Sequence, residues 1–126
     1  MGIDAVLTEW SVRSGLVSSL LTVIDRRDWA GLVDLVTDDV VYHRPGCPPV
    51  EGVAAFVEFY ERRCIVMSGR HAVQRCVELP DQAFCWGRFE GMSHAGVPLV
   101  ETFADWFEFR DGRISARRTF FYRPAI

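Results

Sequence analysis

The sequence predicts one α+β domain, in which three N-terminal helices pack in the concave face of a curved, mostly antiparallel sheet. Three observations carry that reading. Apolar residues recur at helical spacing in three separate runs before residue 68, whereas strict alternation of apolar and polar residues dominates from residue 71 to the end. Pro80-Asp81, Ala95-Gly96 and Asp111-Gly112 are turn-forming pairs that divide this second half into four strands joined by three hairpins.

From Thr8 to about Arg27, Trp10, Val17, Leu20, Leu21 and Ile24 lie on one helical stripe, and Asp28 is placed to cap a second, shorter helix reaching Val36. A short β-rich run, Val40-Val41-Tyr42-His43-Arg44, then meets Pro45-Gly46-Cys47-Pro48-Pro49, which neither a helix nor a central strand would contain. A third helix is expected over residues 52–67, with Phe56, Phe59, Tyr60, Cys64 and Met67 on its apolar stripe and Ser68-Gly69 closing it. The meander strands follow at 71–79, 82–94, 97–110 and 113–123. A twisted sheet wrapping helices makes a cone with a mouth.

At 126 residues, 49% hydrophobic and 13% aromatic, the chain supports one well-cored domain, with no repeat or linker to suggest a second. A net charge of -3 and a pI near 5.6 remove the general electrostatic case for nucleic acid or an anionic membrane surface. No apolar run approaches the ~20 residues of a membrane span, and Met1-Gly2-Ile3-Asp4-Ala5 has neither the basic start nor the apolar stretch of a signal peptide. A cytoplasmic protein is expected. Cys47, Cys64, Cys76 and Cys85 are 17, 12 and 9 positions apart, so they form no C-x-x-C pair and read as reduced, structural thiols. No two histidines share a spacing that would converge on a metal ion.

The residue that stands out is Asp105. Strand alternation puts its carboxylate on the same face as Phe103, Phe107 and Phe109, where it is costly unless paired or used. Two-residue turns would set Asp105 opposite Trp86 on one side and Arg118 on the other, with His71 opposite Glu90 and the inner face of the last strand formed by Ile114, Ala116, Arg118, Phe120 and Tyr122. A bulge in any strand would exchange these for their neighbours, so whether Arg117 or Arg118 faces Asp105 stays open. Asp105 is then either half of a buried ion pair or an acid/base group tuned by an apolar pocket. His43, just before the rigid proline turn, is the second acid/base candidate, with Tyr42 or Arg44 as the alternative inward residues. Trp106, Phe121 and Thr119 are expected on the outer sheet face, a surface suited to a homodimer.

The order of elements, the stretch DDVVYHRPGCPPVEG at 38–52 and FADWFEFRDGRI at 103–114 together resemble SnoaL-like proteins of the nuclear transport factor 2-like, ketosteroid-isomerase-like superfamily. The resemblance covers roughly residues 15 to 122 and implies a cone-shaped, cystatin-like barrel. In ketosteroid isomerases a carboxyl at the position of Asp105 stays protonated and hydrogen-bonds a developing oxyanion; in SnoaL-type polyketide cyclases an aspartate on this strand is the acid/base group. The isomerase general base falls here on His43 or Arg44, and its helix-borne tyrosine on about Leu20, which argues against a true steroid isomerase.

The resemblance implies a small cofactor-free cyclase or isomerase acting by proton transfer on a hydrophobic cyclic or polyketide-like molecule, with Asp105 and His43 catalytic. Trp86, Phe56, Tyr60, Phe103, Phe107, Arg118 and Tyr42 would form the substrate walls. An epoxide hydrolase of the limonene or polyether type, with Glu61 as partner acid, is the enzymatic alternative. A non-catalytic binding or dimerisation domain, with Asp105 satisfied by Arg118 and the cone filled, is the other. No metal or cofactor and no nucleic-acid or membrane partner is expected.

Overall fold

The computed structural model describes residues 15–123. The expectation for Trp10 and its neighbours lies outside that range. Helix α1, Gly15–Asp25, buries Val17, Leu20, Leu21 and Ile24, the apolar stripe read from the sequence. It stops in a Schellman turn: the Asp28 amide donates to the Val23 carbonyl at 2.8 Å and the Arg27 amide to the Ile24 carbonyl at 3.0 Å, with Arg27 left-handed at φ 57°. Asp28 caps helix α2, Trp29–Leu35, by accepting from the Gly31 amide at 2.9 Å.

Strand β1, Val36–His43, starts earlier than expected, and Asp38 and Asp39 sit in it as exposed residues. After the proline turn, β2, Val50–Glu51, pairs back on β1, and Gly52 at φ 88° turns the chain into α3, Val53–Glu58. That helix continues as one π-helical turn, Phe59–Arg63, closed by the Cys64 amide on the Phe59 carbonyl at 2.8 Å. The expected helix to Met67 therefore ends early. Cys64 is already extended, and Met67, 44% exposed, belongs to β3, Val66–Glu78.

Strands β3, β4 (Gln82–Ser93), β5 (Pro98–Arg110) and β6 (Arg113–Phe121) form the predicted meander, and the sheet order is β2-β1-β6-β5-β4-β3. The β1–β6 pair is parallel and the rest antiparallel. The sheet curves around the helices without closing, so β2 and β3 remain edges. Leu20, Leu32, Val36, Val40, Phe56, Phe107 and Ile114 fill the layer between helices and sheet.

Each hairpin departs from the expected register by one residue, and each departure has a local cause. Between β4 and β5 the loop holds three residues rather than two: the Gly96 amide donates to the Ser93 carbonyl, Gly96 is left-handed at φ 81°, and the strands rejoin with Met92 opposite Pro98. Asp105 therefore faces Cys85, not Trp86.

Between β5 and β6 the two-residue turn is as expected, with Asp111 and Gly112 at φ 53° and 74°. Ser115 then bulges between Ile114, paired with Phe109, and Ala116, paired with Glu108; its hydroxyl donates to the Glu108 carboxylate at 2.8 Å. The extra residue turns Arg117, Thr119 and Phe121 inward and Arg118 and Phe120 outward, the reverse of the expected division. Between β3 and β4 the register Arg75–Trp86 and Val77–Phe84 is as expected, but Gln74 is skipped, so His71 faces Phe89 rather than Glu90.

Candidate functional site

The inner face of β5 and β6 carries a buried polar network among aromatic rings. Asp105, 2% exposed, accepts from Arg117 Nη2 at 3.0 Å on one oxygen and from the Thr119 hydroxyl on the other, the arrangement of a carboxylate. Because the Thr119 proton is committed to Asp105, Thr119 Oγ1 must accept the proton of Tyr42, 2.9 Å away; the Tyr42 oxygen in turn accepts from Arg44 Nη1 at 2.9 Å.

On the other side, Arg117 Nη1 donates to the Tyr60 hydroxyl oxygen at 2.7 Å, and its guanidinium lies 4.8 Å over the Tyr42 ring. Burial opposes the Arg117 charge, but Asp105 beside it more than compensates, so its pKa is raised well above the usual range. Burial pushes the Tyr60 phenol far up despite Arg117, so it stays protonated at neutral pH. The Tyr60 oxygen thus takes a hydrogen bond from a cation while its own O–H has no acceptor among the described residues.

Across the cone, Asp25, the last residue of α1, holds His71 on β3 by two bonds. Asp25 Oδ2 accepts from the His71 amide at 2.8 Å, and Oδ1 lies 2.6 Å from the ring Nδ1. A carboxylate only accepts, so Nδ1 carries the hydrogen of this contact and, in the neutral ring, Nε2 carries the lone pair. Nε2 has no hydrogen-bond partner among the described residues. The imidazole packs on Phe89 at 4.8 Å and edge-on to Phe103 at 5.2 Å.

Asp25, His71, Tyr60, Arg117 and Thr119 line one cavity of about 50 Å³, together with Arg27, Arg44, Phe89, Phe103 and Phe121. That is room for roughly one or two waters. A larger occupant requires movement of the side chains around it.

Asp105 shares its face with Phe103 and Phe107 as expected, but it lies behind the cavity wall with both oxygens engaged. Its partner is Arg117, not Arg118, which is exposed. His43 pairs with Arg118 in the parallel β1–β6 register and faces away from the cavity, whereas Tyr42 turns inward and Arg44 lines the cavity.

Trp86 is 50% exposed on the outer face, a consequence of the three-residue β4–β5 loop. Phe56, Phe107 and Tyr42 are fully buried core rather than pocket wall, while Tyr60 and Phe103 do line the cavity. Thr119 and Phe121, expected on the outer face, point in. The Asp25–His71 pair was missed, yet a signal for Asp25 exists: it falls four residues after Leu21 and eight after Val17, on the buried stripe of α1, where a carboxylate needs a partner.

Helices held against a six-stranded, curved, unclosed and mostly antiparallel sheet are the nuclear transport factor 2-like fold. Within that class the chain belongs to the SnoaL-like domain family, whose profile matches residues 17–117. An NTF2-like protein of unknown function from Burkholderia pseudomallei superposes with a TM-score of 0.76 at 18% identity, over 84% of this chain and 87% of that one. An LEH-like epoxide hydrolase from M. tuberculosis gives 0.74 at 18% identity, over 84% and 79%. IdmH, a candidate polyketide cyclase from Streptomyces antibioticus, gives 0.73 at 21% identity, over 86% and 91%. At these identities the likeness establishes the fold. No curated protein matches the sequence, and no helix among the described residues is long and apolar enough to cross a membrane.

Proposed function

We propose that this protein is a cofactor-free isomerase or cyclase that moves a proton within a small, largely hydrophobic carbonyl compound, with the Asp25–His71 pair as its acid/base group. The observation that carries the reading is His71 Nε2, unpartnered among the described residues on a cavity-lining imidazole whose Nδ1 is held by Asp25 at 2.6 Å. Nε2 takes a proton from the carbon next to a carbonyl. The C–H electron pair becomes the C=C of an enolate, and the carbonyl π pair moves onto oxygen.

That oxygen accepts from the Tyr60 O–H, which Arg117 polarises from behind. In a β,γ-unsaturated carbonyl compound that enolate is a dienolate, and the imidazolium returns the proton to its γ-carbon while the oxygen lone pair re-forms the carbonyl, giving double-bond isomerisation. Alternatively, the enolate carbon attacks a second carbonyl of the same molecule and the imidazolium protonates the new alkoxide, giving aldol cyclisation. Asp105, the acid/base candidate of the sequence, serves in this reading as the counter-charge that keeps Arg117 in place, and His43 has no part. The polyketide-cyclase description of IdmH is compatible with this chemistry.

The test is deuterium exchange at the α-carbon of a panel of small cyclic ketones and β-keto esters, followed by NMR in D2O. Exchange is expected with wild type and should fall about 100-fold or more in His71→Gln; exchange unaffected by that change would refute the assignment. A second reading, a non-catalytic domain, is favoured by the satisfied Asp105 and by a cavity of about 50 Å³, well below the usual ligand pocket. It predicts no exchange on any compound. An epoxide hydrolase using Asp105 as base finds less support, since neither oxygen of that carboxylate is left for a water. We also place a homodimer at the outer sheet face, where Phe84, Trp86 and Phe120 are half exposed.

A further inference from the structure

Arg27 occupies a backbone position that favours glycine. It is the second residue past α1, the left-handed position of the Schellman turn at φ 57°, where a side chain is strained and Gly is the usual occupant. Its guanidinium nevertheless reaches the cavity, lying 5.1 Å over the Trp29 ring and donating to the Tyr60 carbonyl at 3.2 Å. That carbonyl belongs to the last helical turn before β3, where carbonyls run out of intrahelical partners. Among the described residues Arg27 has no carboxylate partner.

The cavity as a whole leans positive in a chain of net charge -3. Arg27, Arg44 and Arg117 line it against Asp25 alone, and Asp105 behind the wall answers Arg117. Arg27 is also two residues from Asp25 and so beside the dyad. A strained cation without a counter-ion, next to an acid/base pair in an aromatic cavity, is an arrangement suited to a negatively charged ligand.

Deepening the proton-transfer reading, on which it rests, we infer that the substrate is a small carboxylate, its anionic group held at the cavity by Arg27 and its acidic C–H presented to His71. This narrows the substrate class to compounds with a carboxylate near an enolisable carbon. An amide or ester of the same shape would lack the ion pair.

The experiment is calorimetric titration of the whole chain with benzoate and with benzamide, its neutral isostere, in wild type, Arg27→Gly and Arg27→Lys. Wild type should bind benzoate the more tightly. Arg27→Gly should weaken benzoate about tenfold or more while leaving benzamide unchanged, and Arg27→Lys should recover part of the loss. Because glycine suits φ 57°, Arg27→Gly should also melt higher than wild type, so lost binding cannot be ascribed to a damaged fold. Equal binding of the two probes, no binding of either, or benzoate binding unchanged in Arg27→Gly overturns the inference. Arg27-dependent benzoate binding without deuterium exchange on any keto acid tested would instead refute the proton-transfer reading and leave an anion-binding site.

Discussion

Replacing Asp105 by Asn tests whether the buried network is held by charge. The substitution preserves volume, and the Asn carbonyl can still accept from Thr119, but its NH2 group then meets Arg117 Nη2, donor against donor, where the carboxylate oxygen accepted at 3.0 Å. Arg117, 2% exposed, is left without its counter-charge. Removing one partner of a buried pair costs about 3–5 kcal/mol. With an unfolding entropy of roughly 2.1 cal/mol/K per residue over 126 residues, a loss of about 4 kcal/mol lowers the thermal midpoint by roughly 15 °C. Urea denaturation of wild type, Asp105→Asn, Arg117→Met and the double variant measures the coupling. Arg117→Met also gives up the Tyr60 bond and the contact over Tyr42, so the double variant does not return to wild type. The coupling energy is the diagnostic, and about 2 kcal/mol or more is expected. A single-variant loss below about 1 kcal/mol would refute the account, because Arg117 could not then depend on the Asp105 charge for its burial.

The thiols should separate sharply. Cys47 is exposed, whereas Cys64, Cys76 and Cys85 are buried and burial raises the last two, Cys76 to about 11. A thiol reagent at pH 8 should therefore modify Cys47 quickly and the other three only on unfolding. The unfolded chain releases the Cys76 proton near 9.0 and the folded chain only near 11, so stability from this group is intact below pH 9 and is lost between pH 9 and 11. Urea midpoints across that window should fall, and less so in Cys76→Ala. Gly87→Ala would set a methyl 2.1 Å from the Ala72 carbonyl oxygen and 2.9 Å from the Val73 Cα, a backbone clash on two sides that should cost on the order of 3 kcal/mol or leave the protein insoluble. If the outer face is a dimer interface, Trp86→Glu with Phe120→Glu should shift the sedimentation mass from dimer to monomer without loss of fold; a wild-type monomer rules the interface out.

The element order was legible because it rests on periodicity over many residues, which single exceptions do not disturb. Val17, Leu20, Leu21 and Ile24 fix the buried side of α1, and the alternation around Phe103, Asp105 and Phe107 fixes the buried side of β5. The side each neighbouring strand presents to it is another matter. That depends on single residues: Gly96 lengthening one loop to three, Ser115 bulging in β6, Gln74 skipped in β3. With a period of two, a slip of one residue exchanges the faces. Arg117 thereby replaced Arg118 as the partner of Asp105, Cys85 replaced Trp86 beside it, and Trp86 went to the outer surface.

The site was less legible than the fold for a related reason. Asp105 attracted attention because a carboxylate among phenylalanines is conspicuous along one strand, but conspicuous burial marks a charge that must be satisfied, and Arg117 and Thr119 satisfy it. The Asp25–His71 pair joins the end of a helix to a strand 46 residues later, and only Asp25, on the buried stripe of α1, carries a signal in its own segment. His71 could be placed only after the skipped Gln74 was known, because with that residue counted it sits against Glu90 rather than Phe89. A fully partnered carboxylate and a cavity-lining imidazole with one nitrogen unpartnered among the described residues differ in what they can do next. The first can only lose stability when disturbed, whereas the second can take a proton and give it back. That asymmetry, rather than degree of burial, is why the proposed acid/base role is given to His71 and not to Asp105.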